Sequence, residues 1–284
     1  MYVVTGATGS LGRLAVEELL DRVPADQVAV VARDKDKAAD LAARGVEIRL
    51  ADYDDPASMR GAFAAGDRVL FISGNEVGRR APQHQAVVDA AKAAGVGLLA
   101  YTGVLGGPKA DFELARDHQY TEQAILDSGV PYAFLRNGWY SEVYTANLGQ
   151  FLEQGAIVGS AGPGRVASAA RADYAAAAVA VLTGEGHENK AYELSGDVAW
   201  DFHEFAAELS RQAGKEITYR AVSPEEQRQI LAGAGVPDPM IAFLQDIDGA
   251  IARGLLAVRT GELSRLIGRP TTPLADSIAA ALRS

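Results

Sequence analysis

The chain has 284 residues, of which 48% are hydrophobic and 23% are charged, an ordinary composition for a globular protein. This length allows one large domain or one domain with a smaller lobe, and we expect the second arrangement. The formal net charge of −10 argues against nucleic acid as a partner, because sequence-independent binding of DNA or RNA needs a cationic surface. The absence of cysteine excludes disulfides, thiolate metal sites and thiol catalysis.

The start of the sequence gives no sign of a targeting segment. The first predicted strand begins at Tyr2, and no apolar run reaches the roughly 18 residues that a membrane span requires. We therefore expect a cytoplasmic protein without a membrane partner.

A glycine-rich turn joins the first predicted strand, residues 2–5, to the first predicted helix, residues 14–20. A strand that turns sharply into a helix needs a residue without Cβ, and the helix N-terminus offers N–H groups to an anion. A third glycine lets the helix lie close to the sheet. The pattern predicts a dinucleotide site, with a ligand-free glycine turn as the alternative. The residues expected to contact the cofactor here are Gly6, Ala7, Thr8, Gly9, Ser10 and Leu11, with Gly12 as the third glycine.

Strand-like and helix-like segments alternate through the first half of the chain. Such alternation indicates a parallel sheet with right-handed crossovers. We predict an α/β fold with a doubly wound parallel sheet of the Rossmann type, in the strand order 3-2-1-4-5-6, and a ligand along the carboxyl ends of strands one, four and five. After the first, the predicted strands cover residues 28–32, 47–50, 68–73, 98–102 and 132–136.

The pattern changes after Trp139. We predict a helix over residues 140–155, a glycine-rich excursion over 156–164, a helix over 172–183 and a strand near 192–194, followed by mostly helical chain. Within that last part, Ser223-Pro224-Glu225-Glu226 predicts a helix start with a capping box. We expect residues 1–155 to form the dinucleotide-binding domain, 165–198 to return to it, and 199–284 to form a smaller, mostly helical lobe on the substrate side.

Arg33 ends the second predicted strand, where an acidic residue would bind the ribose hydroxyls of NAD. A guanidinium suits a 2′-phosphate instead, because its planar fork binds two phosphate oxygens and keeps its charge. NADPH is therefore favoured over NADH; the alternative is a solvated cation beside the charged residues 34–37. Asp52 follows the third strand and either meets the adenine edge or serves as a turn residue before Pro56.

The ends of strands four, five and six supply further candidates, because loops at the carboxyl ends of such sheets commonly hold ligands. Ser73, Gly74 and Asn75 would let a ribose pass close to the backbone, unless they form an ordinary turn. Asn137 could fix the nicotinamide or the substrate through its amide, and Tyr140 could stack on a flat acceptor. These two residues are the catalytic candidates; the alternative is that they pack a hinge.

Two missing patterns narrow the chemistry. No tyrosine has a lysine four residues on, so alcohol–ketone chemistry through a Tyr-x-x-x-Lys pair is disfavoured. His84, His118, His187 and His203 are widely spaced and lack carboxylates at metal-site spacing, so we expect no metal and interpret them as surface or helix-face residues. His118 is a partial exception, because it precedes a helix expected beside the acceptor pocket.

Together these segments resemble the NmrA-like atypical short-chain dehydrogenase family, and within it a bacterial group of NAD(P)H:quinone reductases. The resemblance also extends to triphenylmethane dye reductases at residues 71–74 and 101–103, and the quinone-reductase group usually has serines where Gly74 and Asn75 stand here. The segments that carry the resemblance are residues 4–12, 31–34, 51–53, 80–84, 135–142, 171–174 and 266–272.

The resemblance implies NADPH as the cofactor, without flavin or metal. Besides the glycine turn, Arg33 and the loop after strand four, the resemblance implies further cofactor-binding residues. These are Asn137, Gly138, Trp139, Tyr140, Ser141, Glu142 and Arg171. The expected function is NADPH-dependent transfer of a hydride to quinones or similar flat, delocalised electrophiles, by a monomer or homodimer. The alternative is a non-catalytic regulator that senses NADP(H). For a third interpretation, an isomerase or lyase, no acid–base pair is found.

Overall fold

The computed structural model describes residues 1–76 and 78–283. The strands are β1 Tyr2–Val4, β2 Val28–Ala32, β3 Glu47–Leu50, β4 Arg68–Phe71, β5 Leu98–Val104, β6 Tyr132–Asn137, β7 Ala156–Gly159, β8 Arg165–Val166, β9 Lys190–Leu194, β10 Trp200–Asp201 and β11 Thr218–Ala221. The helices are α1 Ser10–Leu20, α2 Ala39–Ala43, α3 Pro56–Met59, α4 Arg80–Ala94, α5 Glu113–Ser128, α6 Glu142–Thr145, α7 Leu148–Gln154, α8 Arg171–Thr183, α9 Phe202–Ala213, α10 Pro224–Gly233, α11 Asp238–Ala252, α12 Glu262–Ile267 and α13 Leu274–Arg283. None of these described helices is both long and apolar enough to cross a membrane.

Seven of the described strands form one parallel sheet in the order β3-β2-β1-β4-β5-β6-β9. This confirms the predicted doubly wound order and adds β9 beside β6, where Asn137 is paired with Leu194. Every residue of β2 and β5 is buried, as expected when helices cover both faces of a parallel sheet.

Helices cover both faces of this sheet. On one face α1 packs against α8, and Val16 and Leu182 belong to the same apolar core. On the other face α3, α4 and α5 contribute Met59, Val87 and Ile125 to a second core. In sheets of this type, ligands bind in the crevice outside the carboxyl ends of the central strands.

A third apolar core lies among the C-terminal elements and includes Trp200, Phe205 and Ile251. Two small sheets connect these elements to the preceding chain, because β7 pairs with β11 in parallel and β8 pairs with β10 antiparallel. In contrast, α12 packs against α8 and β9 of the large sheet. The proposed division into residues 1–155, with 165–198, and 199–284 stays a prediction.

Three local expectations differ from the structure. The segment 140–155 holds two helices, separated near Asn147, whose amide donates to the carbonyl of Val143 and so competes with a continuous helix. The segment 156–164 begins with strand β7. Ser223 accepts the N–H of Glu226 as predicted, but the Glu226 carboxylate binds Arg220 of β11, so the predicted capping box is incomplete.

The turn after β1 brings α1 close to the preceding backbone. Gly6 has a φ of +59°, a conformation that glycine adopts without strain. A Cβ on Gly12 would lie 2.2 Å from the carbonyl oxygen of Gly6 and 2.7 Å from the Cα of Ala7. Position 12 therefore requires glycine if the first turn of α1 is to contact the glycine-rich turn.

Gly12→Ala is expected to lower the free energy of unfolding by about 1–3 kcal/mol, because the added methyl group pushes the turn and α1 apart. The control is Gly149→Ala in α7, where nothing lies within 4 Å of the added Cβ. Alanine at that helical position is expected to be neutral or stabilising. Urea unfolding followed by circular dichroism measures both effects, and wild-type stability in G12A would contradict the explanation.

Candidate cofactor and substrate site

A cleft of about 600 Å³ lies outside the carboxyl ends of the central strands. It runs from the end of β2, past the glycine-rich turn, to the ends of β4 and β5 and the chain after β6. The structure brings eleven of the sequence-derived candidates together in its lining: Gly6, Thr8, Gly9, Ser10, Leu11, Arg33, Ser73, Gly74, Asn75, Tyr140 and Arg171.

The N-terminus of α1 opens into the middle of this cleft. Gly9 is the N-cap residue and no side chain caps the helix. The N–H of Gly9 bonds to Gly6 and that of Arg13 bonds to Gly9, and the first-turn residues between them, Ser10, Leu11 and Gly12, all line the cleft. Such a terminus stabilises an anion through its N–H groups and the helix dipole. Ala7 is fully buried and belongs to the apolar core rather than the cleft lining.

The β2 end of the cleft is cationic. Arg33 and Lys37 are exposed, line the cleft, and have no ion-pair partner among residues 1–76 and 78–283. The Asp34 carboxylate accepts the N–H of Asp36, so it serves the local turn. Asp52 also lines the cleft while its carboxylate accepts the N–H of Asp54, which makes it a turn residue that contacts the ligand space.

The loop after β4 is held from behind by side chains of neighbouring elements. The N–H of Ser73 donates to Thr102 Oγ1 at 2.9 Å, and the N–H of Gly74 donates to His84 Nε2 at 3.0 Å. A Cβ on Gly74 would lie 3.3 Å from Gln83 Oε1, so the loop passes close to α4. The backbone at Ser73 and Gly74 is therefore held in place by hydrogen bonds to these side chains.

His84 and His118 lie on helices α4 and α5, as the helix-face interpretation expected, but on buried faces and not at the surface. They are 0% and 6% exposed and lie between α4, α5 and β5. His84 Nε2 accepts from Gly74, so Nδ1 carries the proton and donates to Thr121 Oγ1 at 2.8 Å. Burial, reinforced by the charge of Arg80, lowers the pKa of each histidine to about 3, and both are neutral at pH 7.

Asn137 and Tyr140 meet at the end of β6. Asn137 Nδ2 donates to the Tyr140 hydroxyl at 3.1 Å, while Asn137 Oδ1 is buried without a hydrogen-bond partner in the described part of the chain. The Tyr140 ring packs edge-on against Tyr174, with ring centroids 5.1 Å apart, and the Arg171 guanidinium lies 5.0 Å from its centroid. Burial raises the pKa of Tyr140, so its phenol stays a hydrogen-bond donor at neutral pH.

Of the candidates from the end of β6 onwards, Tyr140 and Arg171 line the large cleft, whereas Asn137 and the others do not. Gly138 passes so close to β9 that a Cβ would lie 2.9 Å from the carbonyl oxygen of Leu194. Ser141 lies 2.9 Å from Ser168, oxygen to oxygen, and the Glu142 carboxylate accepts the N–H of Arg171 at the start of α8. Trp139 packs against the third apolar core.

A second cavity of about 10 Å³ lies beyond Asn137, on the side of the C-terminal elements. Its lining is mostly apolar: Val104, Leu105, Phe112, Asn137, Gly138, Trp139, Leu255 and Leu256. This volume holds about one water molecule. Asn137 therefore stands with its neighbour Tyr140 between the large cleft and an apolar crevice.

Sequence reasoning missed several lining residues. Lys37, Arg80 and Gln83 line the cleft, and Tyr53 forms part of its floor with its hydroxyl 2.5 Å from Thr5 Oγ1. The spacing of Arg80 and Gln83, one helical turn apart just after the loop that follows β4, was the available signal. No group of three or more His, Asp or Glu side chains arranged for a metal ion occurs within the described residues.

The fold and the cleft define a dinucleotide-binding α/β protein. The chain belongs to the NAD(P)H-binding family, which matches residues 6–185. It is also 47% identical to quinone oxidoreductase 2 of Escherichia coli over 278 residues, or 98% of this chain and 97% of that protein.

Solved structures give the same assignment. An NADPH-dependent quinone oxidoreductase from Escherichia coli, crystallised with NADPH, matches with a TM-score of 0.95 and 46% identity over 99% of this chain and 100% of that one. Triphenylmethane reductase from a Citrobacter species, complexed with NADP(H), matches with a TM-score of 0.94 and 42% identity over 99% of this chain and 100% of that one. These matches confirm the resemblance seen in the sequence.

The buried histidines predict a pH dependence of stability. Their folded pKa of about 3 lies below the ordinary value of 6.5, so their stabilising contribution is complete above pH 6.5 and is lost as the pH falls from 6.5 towards 3. His84→Gln keeps an acceptor for Gly74 but removes one titrating group. Between pH 6 and 4, its unfolding free energy should fall less steeply than that of the wild type, by up to about 1.4 kcal/mol per pH unit.

Urea unfolding at several pH values measures this slope. His203→Gln is the control, because His203 is exposed. Identical slopes for H84Q and the wild type would show that His84 is not held neutral by its surroundings.

Proposed function

We propose that this protein is an NADPH-dependent oxidoreductase that reduces quinones or similar flat, delocalised electrophiles without flavin or metal. The observation that carries the proposal is the cleft itself, which extends from an anion-binding helix terminus to Tyr140, whose hydroxyl accepts a hydrogen bond from Asn137 at the end of β6. Its close full-length relatives include a quinone oxidoreductase and a dye reductase, which supports an enzyme rather than an NADP(H)-sensing regulator.

The residues in the cleft fit NADPH. The free N–H groups at the start of α1 suit a diphosphate, and Arg33 with Lys37 suits a 2′-phosphate near the end of β2. The unpartnered Asn137 Oδ1 suits the N–H of a carboxamide, since a buried acceptor without a donor costs free energy. When bound, the reduced nicotinamide supplies a hydride.

The acceptor would lie beside Tyr140, towards the C-terminal elements. Tyr140 is held rigidly by Tyr174 and Arg171, and its protonated phenol can donate to an acceptor oxygen. The apolar side chains of Trp139, Phe112 and Leu256 would help to exclude water there. Positioning two flat rings in contact can supply most of the rate, and a hydroquinone anion takes its proton from water, so a Tyr-x-x-x-Lys pair is dispensable.

The remaining assignments are also proposals. A soluble reductase of this type would act in the cytoplasm as a monomer or homodimer, on a small-molecule substrate and without nucleic acid. The smaller lobe would comprise residues 199–284 and would lie on the substrate side of the cleft.

Incubation with NADPH and 1,4-benzoquinone tests the activity directly. We expect a protein-dependent decay of the reduced-nicotinamide absorbance, with one hydroquinone formed for each NADPH consumed. Heat-denatured protein is the control for direct reaction between the two compounds. No decay with several quinones and triphenylmethane dyes, in protein that binds NADPH by calorimetry, would instead favour the regulator.

Arg33→Ala is expected to weaken NADPH binding by about 10- to 100-fold while leaving NADH nearly unchanged, because a charge-assisted contact to the 2′-phosphate contributes roughly 1.5–3 kcal/mol. Lys35→Ala is the matched control, since Lys35 is an exposed cation of the same loop that does not line the cleft. Isothermal titration calorimetry gives the four dissociation constants. Equal losses for both coenzymes would show that Arg33 does not read the phosphate.

A further inference from the structure

Arg80, the first residue of α4, is a buried cation in the wall of the cleft. It is only 7% exposed, and within the described residues no carboxylate pairs with its guanidinium. Burial lowers the pKa of Arg80, but an arginine remains charged at any physiological pH. A buried charge without a counter-charge is costly, so such a group indicates a functional site.

The hydrogen bonds of Arg80 leave part of its guanidinium free. Nε donates to the carbonyl of Gly74 at 2.6 Å, and Nη1 lies 3.4 Å from the neutral His118 Nε2. Nη2 has no partner in the described part of the chain and is not among the fully buried unpaired atoms. Nη2 is therefore not fully buried, and Arg80 is among the residues that line the cleft.

The surroundings orient this guanidinium without neutralising it. Because a guanidinium can only donate, His118 Nε2 is the acceptor towards Arg80, so the proton of the neutral imidazole is on Nδ1, 2.8 Å from the Tyr101 hydroxyl. Asp117 lies within electrostatic range, but its carboxylate accepts the N–H of Gly78 at 3.2 Å instead of pairing with Arg80. The network holds one net positive charge at a fixed place.

The position of Arg80 along the cleft separates it from Arg33. Arg80 bonds to the loop after β4 and acts electrostatically on Tyr140, which follows β6. Arg33 follows β2, on the other side of the glycine-rich turn in the order β2-β1-β4-β5-β6. Arg80 thus lies at the half of the cleft where the acceptor would stand.

Building on the proposed function, we propose that Arg80 is a catalytic residue whose guanidinium binds the quinone oxygen on which negative charge develops. In that step the quinone gains a hydride, that is one proton and two electrons, from the C4–H bond of the reduced nicotinamide, which is oxidised. The product is the hydroquinone monoanion, which takes one proton from water. A preorganised cation in a water-poor site stabilises this anion more than the neutral quinone, and it therefore lowers the barrier.

Arg171, the other cation near Tyr140, is less suited to this task. Its guanidinium lies over the face of the Tyr140 ring, and its backbone N–H binds the Glu142 carboxylate. Arg80 makes neither kind of contact within the described residues.

The first experiment needs only the wild-type protein and a chromogenic phenol. In the presence of NADP⁺, titration of 4-nitrophenol from acid to alkaline pH, followed by the nitrophenolate absorbance, gives the pKa of the bound phenol. A cation in contact with the oxygen should lower this pKa by about 1 unit or more relative to the free phenol. A bound phenol with an unchanged or raised pKa overturns the proposal, whether or not the protein reduces quinones.

Variants at position 80 test whether Arg80 causes the shift in the pKa of the bound phenol. Arg80→Gln should abolish the shift and reduce kcat/KM for benzoquinone by about 100-fold, without changing the dissociation constant of NADPH. Arg80→Lys should restore part of both, because it keeps the charge. The matched control is Arg79→Gln, since Arg79 is the adjacent cation, is exposed, and pairs with Glu76 and Asp54.

The outcomes of these experiments distinguish the role of Arg80 from the proposed function. Equal behaviour of R80Q and R79Q, equal losses in R80K and R80Q, or a loss confined to NADPH binding would overturn the role of Arg80. A wild-type protein that binds nitrophenolate but reduces no quinone would instead refute the proposed function while retaining the anion site.

Discussion

The contact between Gly12 and the carbonyl of Gly6 is the constraint on which the ligand site depends. Because α1 can approach the preceding turn only without a Cβ at position 12, the first turn of the helix lies directly beside the strand end. Because Gly9 is the N-cap and has no side chain, the helix terminus is uncapped where Ser10 and Leu11 line the cleft. One steric requirement thus sets both the packing of α1 on the sheet and the place where an anion is stabilised.

The central sheet could be predicted because the signals for its strands lie within short stretches of the sequence. Continuous apolar runs such as β2, separated by helical segments, are compatible with few arrangements other than a parallel sheet with right-handed crossovers. The C-terminal pairings gave no such signal. β7 pairs with β11 across about 60 residues of chain, and β8 with β10 through only two residues each, so tertiary contacts decide them. Likewise, the Glu226 carboxylate binds Arg220 of β11 instead of the backbone at the helix N-cap, and the local sequence does not show this contact.

The site was predictable where function depends on backbone geometry and unpredictable where it depends on which helix faces meet. The glycine-rich turn and Arg33 line the cleft as their local sequence indicated, although their ligand contacts stay predictions. The spacing of His84 and His118 does not show that α4 and α5 turn these residues towards each other and the core. The spacing of Arg80 and Gln83 places both on one helix face, but the contacts of Arg80 with Gly74 and His118 come from other elements and could not be predicted from the sequence.

The two cationic ends of the cleft differ in exposure, and this difference bears on their proposed roles towards a polyanionic cofactor and a neutral acceptor. Arg33 and Lys37 are exposed, so their attraction is screened beyond about 8 Å at physiological salt and acts only on a phosphate in near contact. Arg80 is buried, and its field is screened far less. A neutral quinone gains little from that field on binding, but the anion formed from it gains much. Under the proposed function, exposure would suit Arg33 to selecting the cofactor, and burial would suit Arg80 to stabilising the anion formed by hydride transfer over the bound quinone.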